Sequence, residues 1–241
     1  MIYNWLNNNL FSLFSKQCLL CLSTTSYKHL LCSSCKEDLP RNTFHCVICS
    51  IPIEVIDSNH LPLVCGKCQN NPPFYTTSLI PHIYASPLKQ LISRFKFQSN
   101  LTYAPLLAYS FTNAISHRKH NLPECIVPVP LHPKRLRERG FNQALELARI
   151  ISKQLDIPLD YSLCHRDKAT PFQSGLSAKR RIQNLRNAFR VSKTHSYKHV
   201  AIFDDVVTTG TTVNELAKQL KNTGVETIEV WAIARTKDKK A

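Results

Sequence analysis

Residues 204–212 read Asp-Asp-Val-Val-Thr-Thr-Gly-Thr-Thr. Two adjacent carboxylates, Asp204 and Asp205, follow the apolar run 200–203, and a hydroxyl-rich stretch, Thr208, Thr209, Gly210, Thr211 and Thr212, comes next. Beyond it Val213, Leu216, Ala217 and Leu220 recur at helical spacing. The order predicts a strand, a loop and a helix start. A helix start offers unbonded backbone N–H groups and the positive end of a dipole, which suit a phosphate. Gly210 permits a backbone geometry that a side chain would block, and the threonine hydroxyls add donors. Carboxylates do not bind phosphate directly. At the carboxyl end of a strand, where open α/β sheets place ligands, they can hold sugar hydroxyls or Mg²⁺. One ligand with a 5′-phosphate, a ribose diol and a metal-bound pyrophosphate would satisfy all of these groups, and phosphoribosyl pyrophosphate (PRPP) carries all three.

A second set of reactive groups lies at the other end of the chain. Eight of the ten cysteines fall in the first 68 residues as four C-x-x-C pairs: Cys18/Cys21, Cys32/Cys35, Cys46/Cys49 and Cys65/Cys68. Each pair can present two thiolates to one metal, and four thiolates make a closed tetrahedral zinc site. Ten residues separate Cys21 from Cys32 and fifteen separate Cys49 from Cys65; the second gap suits a Cys₄ site and the first is slightly short. Two structural zinc ions are expected. Consecutive pairing gives two ribbons in series and needs the shorter loops. A cross-braced pairing stays open, because Cys35 and Cys46 are also ten residues apart. Eight sulfurs complete two sites, so His29, His45 and His60 read as bystanders, and Cys125 and Cys164 as inert core residues.

The third set is basic. Formal charge is +15, unevenly spread: residues 1–75 hold five Lys/Arg against four Asp/Glu, and residues 76–241 hold 26 against 12. An anionic partner is therefore expected on the larger part. Lys134, Arg135, Arg137 and Arg139 crowd the loop after Pro130, where Arg forks suit a pyrophosphate. Residues 167–181 are polar, contain Pro171 and Gly175, and run into Lys179, Arg180 and Arg181; such a segment can close over a site as a lid. Lys89, Arg94 and Lys96 share a stretch with Tyr84, Phe97 and Tyr103. The first reading is a surface helix packed on the core. The second adds an edge that could stack on and neutralise single-stranded nucleic acid.

These residues require an α/β scaffold. Residues 1–15 form an amphipathic helix with Trp5, Leu6, Leu10 and Phe11, packed on the core or the next module, its polar face lacking the basic residues a membrane surface would want. Residues 16–70 form the zinc ribbons, 70–73 a linker, and 76–241 one larger domain. Within it, helices are expected over 101–118 and 142–155, with strands at 125–130, 163–166 and 226–234. Residues 1–14 show no basic n-region or cleavage site, and no apolar run reaches the ~18 residues of a membrane span. Paired C-x-x-C motifs in that setting indicate metal in a reducing compartment. The expected location is the cytoplasm, extending to the inner face of the cytoplasmic membrane.

Several motifs occur in a fixed order: the four C-x-x-C pairs, residues 84–97, Val127-Pro-Val-Pro-Leu-His132, Arg137-Glu-Arg-Gly-Phe-Asn-Gln143, Thr170-Pro-Phe-Gln-Ser-Gly-Leu176, Arg181-Ile-Gln-Asn184 and the stretch 204–212. Together, over about residues 16–235, they resemble the ComF family, also described as GntX-like or amidophosphoribosyltransferase-like proteins. The resemblance implies a double zinc ribbon followed by a type I phosphoribosyltransferase fold, a mostly parallel sheet flanked by helices. It also implies a link to competence, the uptake of transforming DNA as a single strand into the bacterial cytoplasm. A separate reading, offered only by the near-neutral charge and separateness of the zinc module, is that this module docks a DNA-uptake helicase or membrane channel protein. Carried over, Asp204 and Asp205 hold the ribose hydroxyls and stabilise charge at the reacting carbon. Thr208, Thr209, Gly210, Thr211 and Thr212 cradle the 5′-phosphate. Arg135 meets the pyrophosphate with its Mg²⁺, and Arg166, Lys168, Gln173 and Gly175 belong to the flexible loop. No residues for an acceptor substrate are identifiable. Two functions stay open: a binding module for PRPP and DNA, and an active phosphoribosyltransferase for an amine or base.

Overall fold

The computed structural model describes residues 17–25, 30–54, 62–97, 101–118, 120–168, 187–192 and 195–237. The expected helix over 1–15 lies outside these residues, as do Gln173, Gly175, Lys179, Arg180 and Arg181.

The ribbon region carries two short helices, α1 (Ser33–Glu37) and α2 (Gly66–Asn70), each starting within a C-x-x-C pair. Then follow β1 (Thr77–Leu79), β2 (His82–Ile83), α3 (Leu88–Phe97), a 3₁₀ turn (Leu101–Tyr103), α4 (Ala104–Ala114), β3 (Cys125–Pro128), α5 (Pro133–Arg139) and α6 (Gln143–Leu155). The chain continues through β4 (Cys164–Arg166), β5 (Phe189–Val191), β6 (His199–Val207), α7 (Thr211–Lys221) and β7 (Thr227–Arg235).

The main sheet is parallel throughout, in the order β1-β7-β6-β3, with β2 also pairing β7. Ile80 and Pro81 separate β1 from β2; a proline cannot donate to the ladder, so the edge strand breaks there. β4 and β5 form a separate antiparallel pair. Side chains along β6 alternate between two buried clusters. Ala201 and Phe203 join Trp231 and Ile233 against Leu88, Leu91, Ile92 and Phe95 of α3, Phe111 of α4 and Ile151 of α6. Val200 and Ile202 join Ile228 and Val230 against Val213, Leu216, Ala217 and Leu220 of α7. The sheet is thus the middle of three layers. Each fully buried side chain of this size stabilises the fold by roughly 1.5–3 kcal/mol.

Two expectations change. The loop after Pro130 is a helix, α5: Pro133 sits in its first turn, the His132 ring accepts from the Lys134 N–H at 3.2 Å, and Gly140 ends it at φ 79°. The basic cluster there is carried on a helix. Strand β6 also runs past the apolar stretch to Val207 and so includes both aspartates.

Candidate functional site

Strand β6 delivers Asp204 and Asp205 to its carboxyl-terminal end. The Asp204 Oδ1 accepts the Asp205 N–H at 2.8 Å, and the Asp205 Oδ1 accepts the Val206 N–H at 2.6 Å. Burial and the neighbouring Asp205 charge push the Asp204 carboxyl up to about 7 against the pull of Lys96. Lys96, at the end of α3, places its Nζ 2.8 Å from the Asp205 Oδ2. Burial opposes its charge, and the two aspartates outweigh that and hold its pKa above the ordinary value. The sequence places Lys96 among the candidates for a nucleic-acid-binding edge; in the structure its ammonium meets Asp205, because the last turn of α3 faces the end of β6.

The loop beyond the aspartates opens α7. Gly210 holds φ 76° at the N-cap, the left-handed region that favours glycine, and no side chain from that position caps the turn. The Thr209 hydroxyl contacts the Thr211 hydroxyl at 2.9 Å and accepts the Thr211 N–H at 3.4 Å. Thr208, Thr209, Gly210, Thr211 and Thr212 therefore ring the positive end of an 11-residue helix.

Arg166, on β4, feels the Asp204 charge, and Arg135, on α5, feels the neighbouring Arg139. Burial, then the charge of Arg135, lowers the Arg166 pKa, while Asp204 raises it. Burial and Arg139 lower the Arg135 pKa. Guanidinium groups crowded in this way gain from an anion brought among them. A cleft of about 530 Å³ opens beside them, bordered by Pro133, Phe141, Asn142, Tyr161, Arg166 and Arg190. A larger cavity, about 640 Å³, is bordered by Leu31, Leu39, Arg41, His82, Leu106 and Tyr109 and shares no residue with the carboxylates or the threonine loop. The cleft beside Arg166 does not include the carboxylates or the threonine loop in its lining either; of Asp204, Asp205, Lys96, Arg135 and Arg166, only Arg166 borders it.

Lys89, Arg94 and Arg137 are exposed, and Arg139 is half-buried beside the Gln143 Oε1 at 3.3 Å. Lys168 is exposed after β4.

The cysteines gather in two groups of four, Cys18, Cys21, Cys32 and Cys35, and Cys46, Cys49, Cys65 and Cys68, with the sulfurs of each group within 4.8 Å of one another. This is the consecutive pairing. The Cys21–Cys32 and Cys49–Cys65 sulfur separations are both 3.7 Å. A tetrahedron with Zn–S bonds of about 2.3 Å has edges of about 3.8 Å, so both groups fit zinc. Cys125 and Cys164 are buried apart from these groups, and burial raises both thiols.

Sequence reasoning missed Arg235. Its buried guanidinium donates through Nε to the Cys49 carbonyl at 3.1 Å and through Nη1 to the carbonyls of Val207, at 3.2 Å, and Thr208. Lys67 and Tyr75 also reach the loop: the Lys67 Nζ lies 3.5 Å from the Thr209 carbonyl, and a Cβ on Gly210 would meet the Tyr75 hydroxyl at 3.8 Å. A lone Arg at the end of an apolar strand is the only signal the sequence gives of this clamp.

Comparison with known proteins agrees with this fold. The phosphoribosyl transferase domain family matches residues 142–241 and the double zinc ribbon domain family matches residues 10–75. Competence protein F of Haemophilus influenzae is 38% identical over 230 residues, 92% of this chain and 98% of that protein. The chain belongs to the ComF family. DNA utilization protein YhgH of Escherichia coli strain K12 is 35% identical over 91% of this ComF chain and 96% of its own length, and competence protein ComFC of Bacillus subtilis is 26% identical over 80% and 79%. Among the described residues of the ComF chain no helix is long and apolar enough to cross a membrane.

Proposed function

We propose that this ComF chain binds PRPP with Mg²⁺ at the end of β6 and handles incoming single-stranded DNA in the cytoplasm. One observation carries the reading: the Thr208–Thr212 loop opens α7 directly beyond the Asp204–Asp205 pair. Asp204 and Asp205 take the ribose hydroxyls, the loop takes the 5′-phosphate, and Arg135 and Arg166 face the pyrophosphate. The hard carboxylate oxygens suit a water-shelled Mg²⁺, which would offset the pyrophosphate charge. Lys168, Gln173 and Gly175, with Arg166 at its base at the end of β4, belong to the segment that closes over the ligand. Lys89, Arg94, Arg137 and Arg139, with Lys179, Arg180 and Arg181, supply the charge for DNA. The region 16–70 is the docking module for a DNA-uptake helicase or a membrane channel protein at the inner face of the membrane, and 76–241 is the ligand-binding domain.

A thermal-shift series with Mg²⁺-PRPP and single-stranded DNA, each alone and together, tests this. PRPP at ~100 times its dissociation constant stabilises the fold by about 2.7 kcal/mol, and DNA affinity falls steeply with salt. A melting temperature unmoved by Mg²⁺-PRPP removes the ligand, and DNA binding indifferent to salt removes the basic face.

A second reading, transfer of the phosphoribosyl group to an amine or base, draws on the Asp204 carboxyl held near neutrality. The C1–O bond to pyrophosphate breaks, the acceptor nitrogen bonds C1, and Asp204 takes the acceptor proton. Pyrophosphate release that requires an acceptor and is lost in Asp205→Asn supports catalysis. Absence of release across amines and bases leaves binding alone.

A further inference from the structure

Lys96 has no part in the PRPP contacts proposed above, yet it makes the closest charged contact in the site. Its Nζ sits 2.8 Å from the Asp205 Oδ2, and both side chains are largely buried, at 18% and 10% exposure. The other Asp205 oxygen already accepts the Val206 N–H. Asp205 is thus held on one side by its own backbone and on the other by α3.

The placement of Lys96 separates it from the phosphate loop. Asp205 follows Ala201 and Phe203 along β6 onto the face covered by α3, and Lys96 meets it there. The loop of Thr208–Thr212 leads into α7, which packs on the opposite face. A ribose lying across the carboxylates with its 5′-phosphate on the loop has its C1 end directed away from α7. Two bare carboxylates would repel an anionic substituent at that end. An ammonium has three N–H groups; one is used on Asp205, and the others are available to an incoming oxygen.

Resting on the phosphoribosyl reading of this site, we propose that Lys96 is a ligand-binding residue: anchored on Asp205, its ammonium recognises the diphosphate on ribose C1. Lys96 thereby makes the site selective for a sugar charged at both ends over a sugar 5-phosphate. Its four-carbon stem lets the ammonium shift from Asp205 toward the ligand without movement of α3.

The zinc-loaded full chain, with Lys96→Met and Lys96→Arg, is titrated calorimetrically with Mg²⁺ and three probes: PRPP, ribose 5-phosphate and inorganic pyrophosphate. Lys96→Met is expected to lose PRPP affinity by roughly 10- to 100-fold, the worth of one charge-assisted hydrogen bond. It keeps ribose 5-phosphate within about threefold, and Lys96→Arg keeps most of the PRPP affinity. Retained ribose 5-phosphate binding shows that the variant is folded and its loop intact. Equal losses for PRPP and ribose 5-phosphate overturn the proposal, because they make Lys96 only a support for Asp205. Unchanged PRPP affinity in Lys96→Met overturns it and leaves the phosphoribosyl reading standing. A wild-type chain that binds none of the three probes overturns both.

Discussion

The two Cys₄ groups share a ligand set but lie on opposite faces of the sheet, and the surroundings of each differ. In the first group Cys18 is fully buried and Cys21 is exposed, and Leu31 and Leu39 beside it join the cluster of α3, α4 and α6. Its polar tie to that layer is peripheral: Lys36 stands 5.7 Å over the ring of Tyr109. In the second group Cys46, Cys49 and Cys68 are all buried and pack with Ile202, Val230 and the apolar face of α7. From there Arg235 reaches Thr208, Lys67 reaches Thr209, and the Phe74 N–H donates to the Asn214 Oδ1 of α7 at 2.7 Å. The same coordination chemistry thus serves as a staple on one face and as a wall of the threonine loop on the other.

Removing one ligand from each group gives the largest contrast. A structural zinc contributes about 10–16 kcal/mol of apparent binding free energy, comparable to the roughly 5–15 kcal/mol that holds a whole domain folded. Cys68→Ser and Cys21→Ser should each reduce zinc from two ions per chain to one, matching the two groups. Cys68→Ser should also abolish the melting shift given by Mg²⁺-PRPP, whereas Cys21→Ser keeps it on a less stable chain. Metal analysis beside melting curves checks this, and equal loss of the ligand response in both variants would erase the distinction.

The clamp can be cut without touching a metal ligand. Arg235→Met leaves the Cys49, Val207 and Thr208 carbonyls without their shared donor, and should cost roughly 2–3 kcal/mol in urea unfolding. Ligand response should fall with it. Lys36→Ala, the matching cut on the other face, removes one cation–π contact worth about 0.5–1 kcal/mol and should leave ligand response alone. A silent Arg235→Met would show that the second zinc group touches the loop without supporting it.

What was legible in the sequence divides along the same line. The strand, threonine loop and helix of 200–220 were legible because their signals are contiguous: an apolar run, two carboxylates, a glycine and a 3.6-residue period. The C-x-x-C pairs were legible because metal ligation fixes their spacing. The contacts that join the two were not. Arg235 pairs with Cys49 across 186 positions, and Lys96 with Asp205 across most of a domain. Lys96 lies on the polar side of an amphipathic helix and reads as a solvent-facing cation until the end of β6 is placed against it. Likewise the charge of α5 reads as a loop, although Pro133 and Gly140 bracket it as a helix. Glu229 sits deep in an otherwise apolar strand with no local hint of its partners. Its carboxylate receives Arg118, His199 and the Trp231 indole N–H, at 2.5, 2.9 and 2.8 Å.

The two carboxylates offer a pH test of which face each serves. The Asp204 carboxyl is raised to about 7 in the folded chain, above the roughly 3.9 of an unfolded one. The folded state therefore keeps a proton that the unfolded state has lost between about pH 4 and 7. That contribution to stability is complete below pH 4 and disappears as pH rises through 7. Asp204→Asn should remove this slope and gain about 1–2 kcal/mol at pH 8, after allowance for Lys96. Asp205→Asn should lose stability instead, because it strands the Lys96 ammonium. Melting temperatures from pH 4 to pH 8 separate the two. A gain in both variants would mean that Lys96 serves the pair as a whole.

The weakest link between the second zinc group and the loop sets the lower limit of the contrast. Lys67 stands between Cys65 and Cys68, and its ammonium meets the Thr209 carbonyl at 3.5 Å in an exposed position. An exposed charged contact at that distance is worth less than about 0.5 kcal/mol, so Lys67→Ala should leave the melting temperature nearly unchanged. The same ammonium lies beside the loop proposed to receive the 5′-phosphate, where one unit of charge would act on every ligand alike. A loss of about two- to fivefold in affinity for both PRPP and ribose 5-phosphate is expected, and raising salt to 0.5 M should remove it. A larger loss, or one that survives salt, would mean that Lys67 contacts the phosphate itself, making the second zinc group a ligand-binding element as well as a wall.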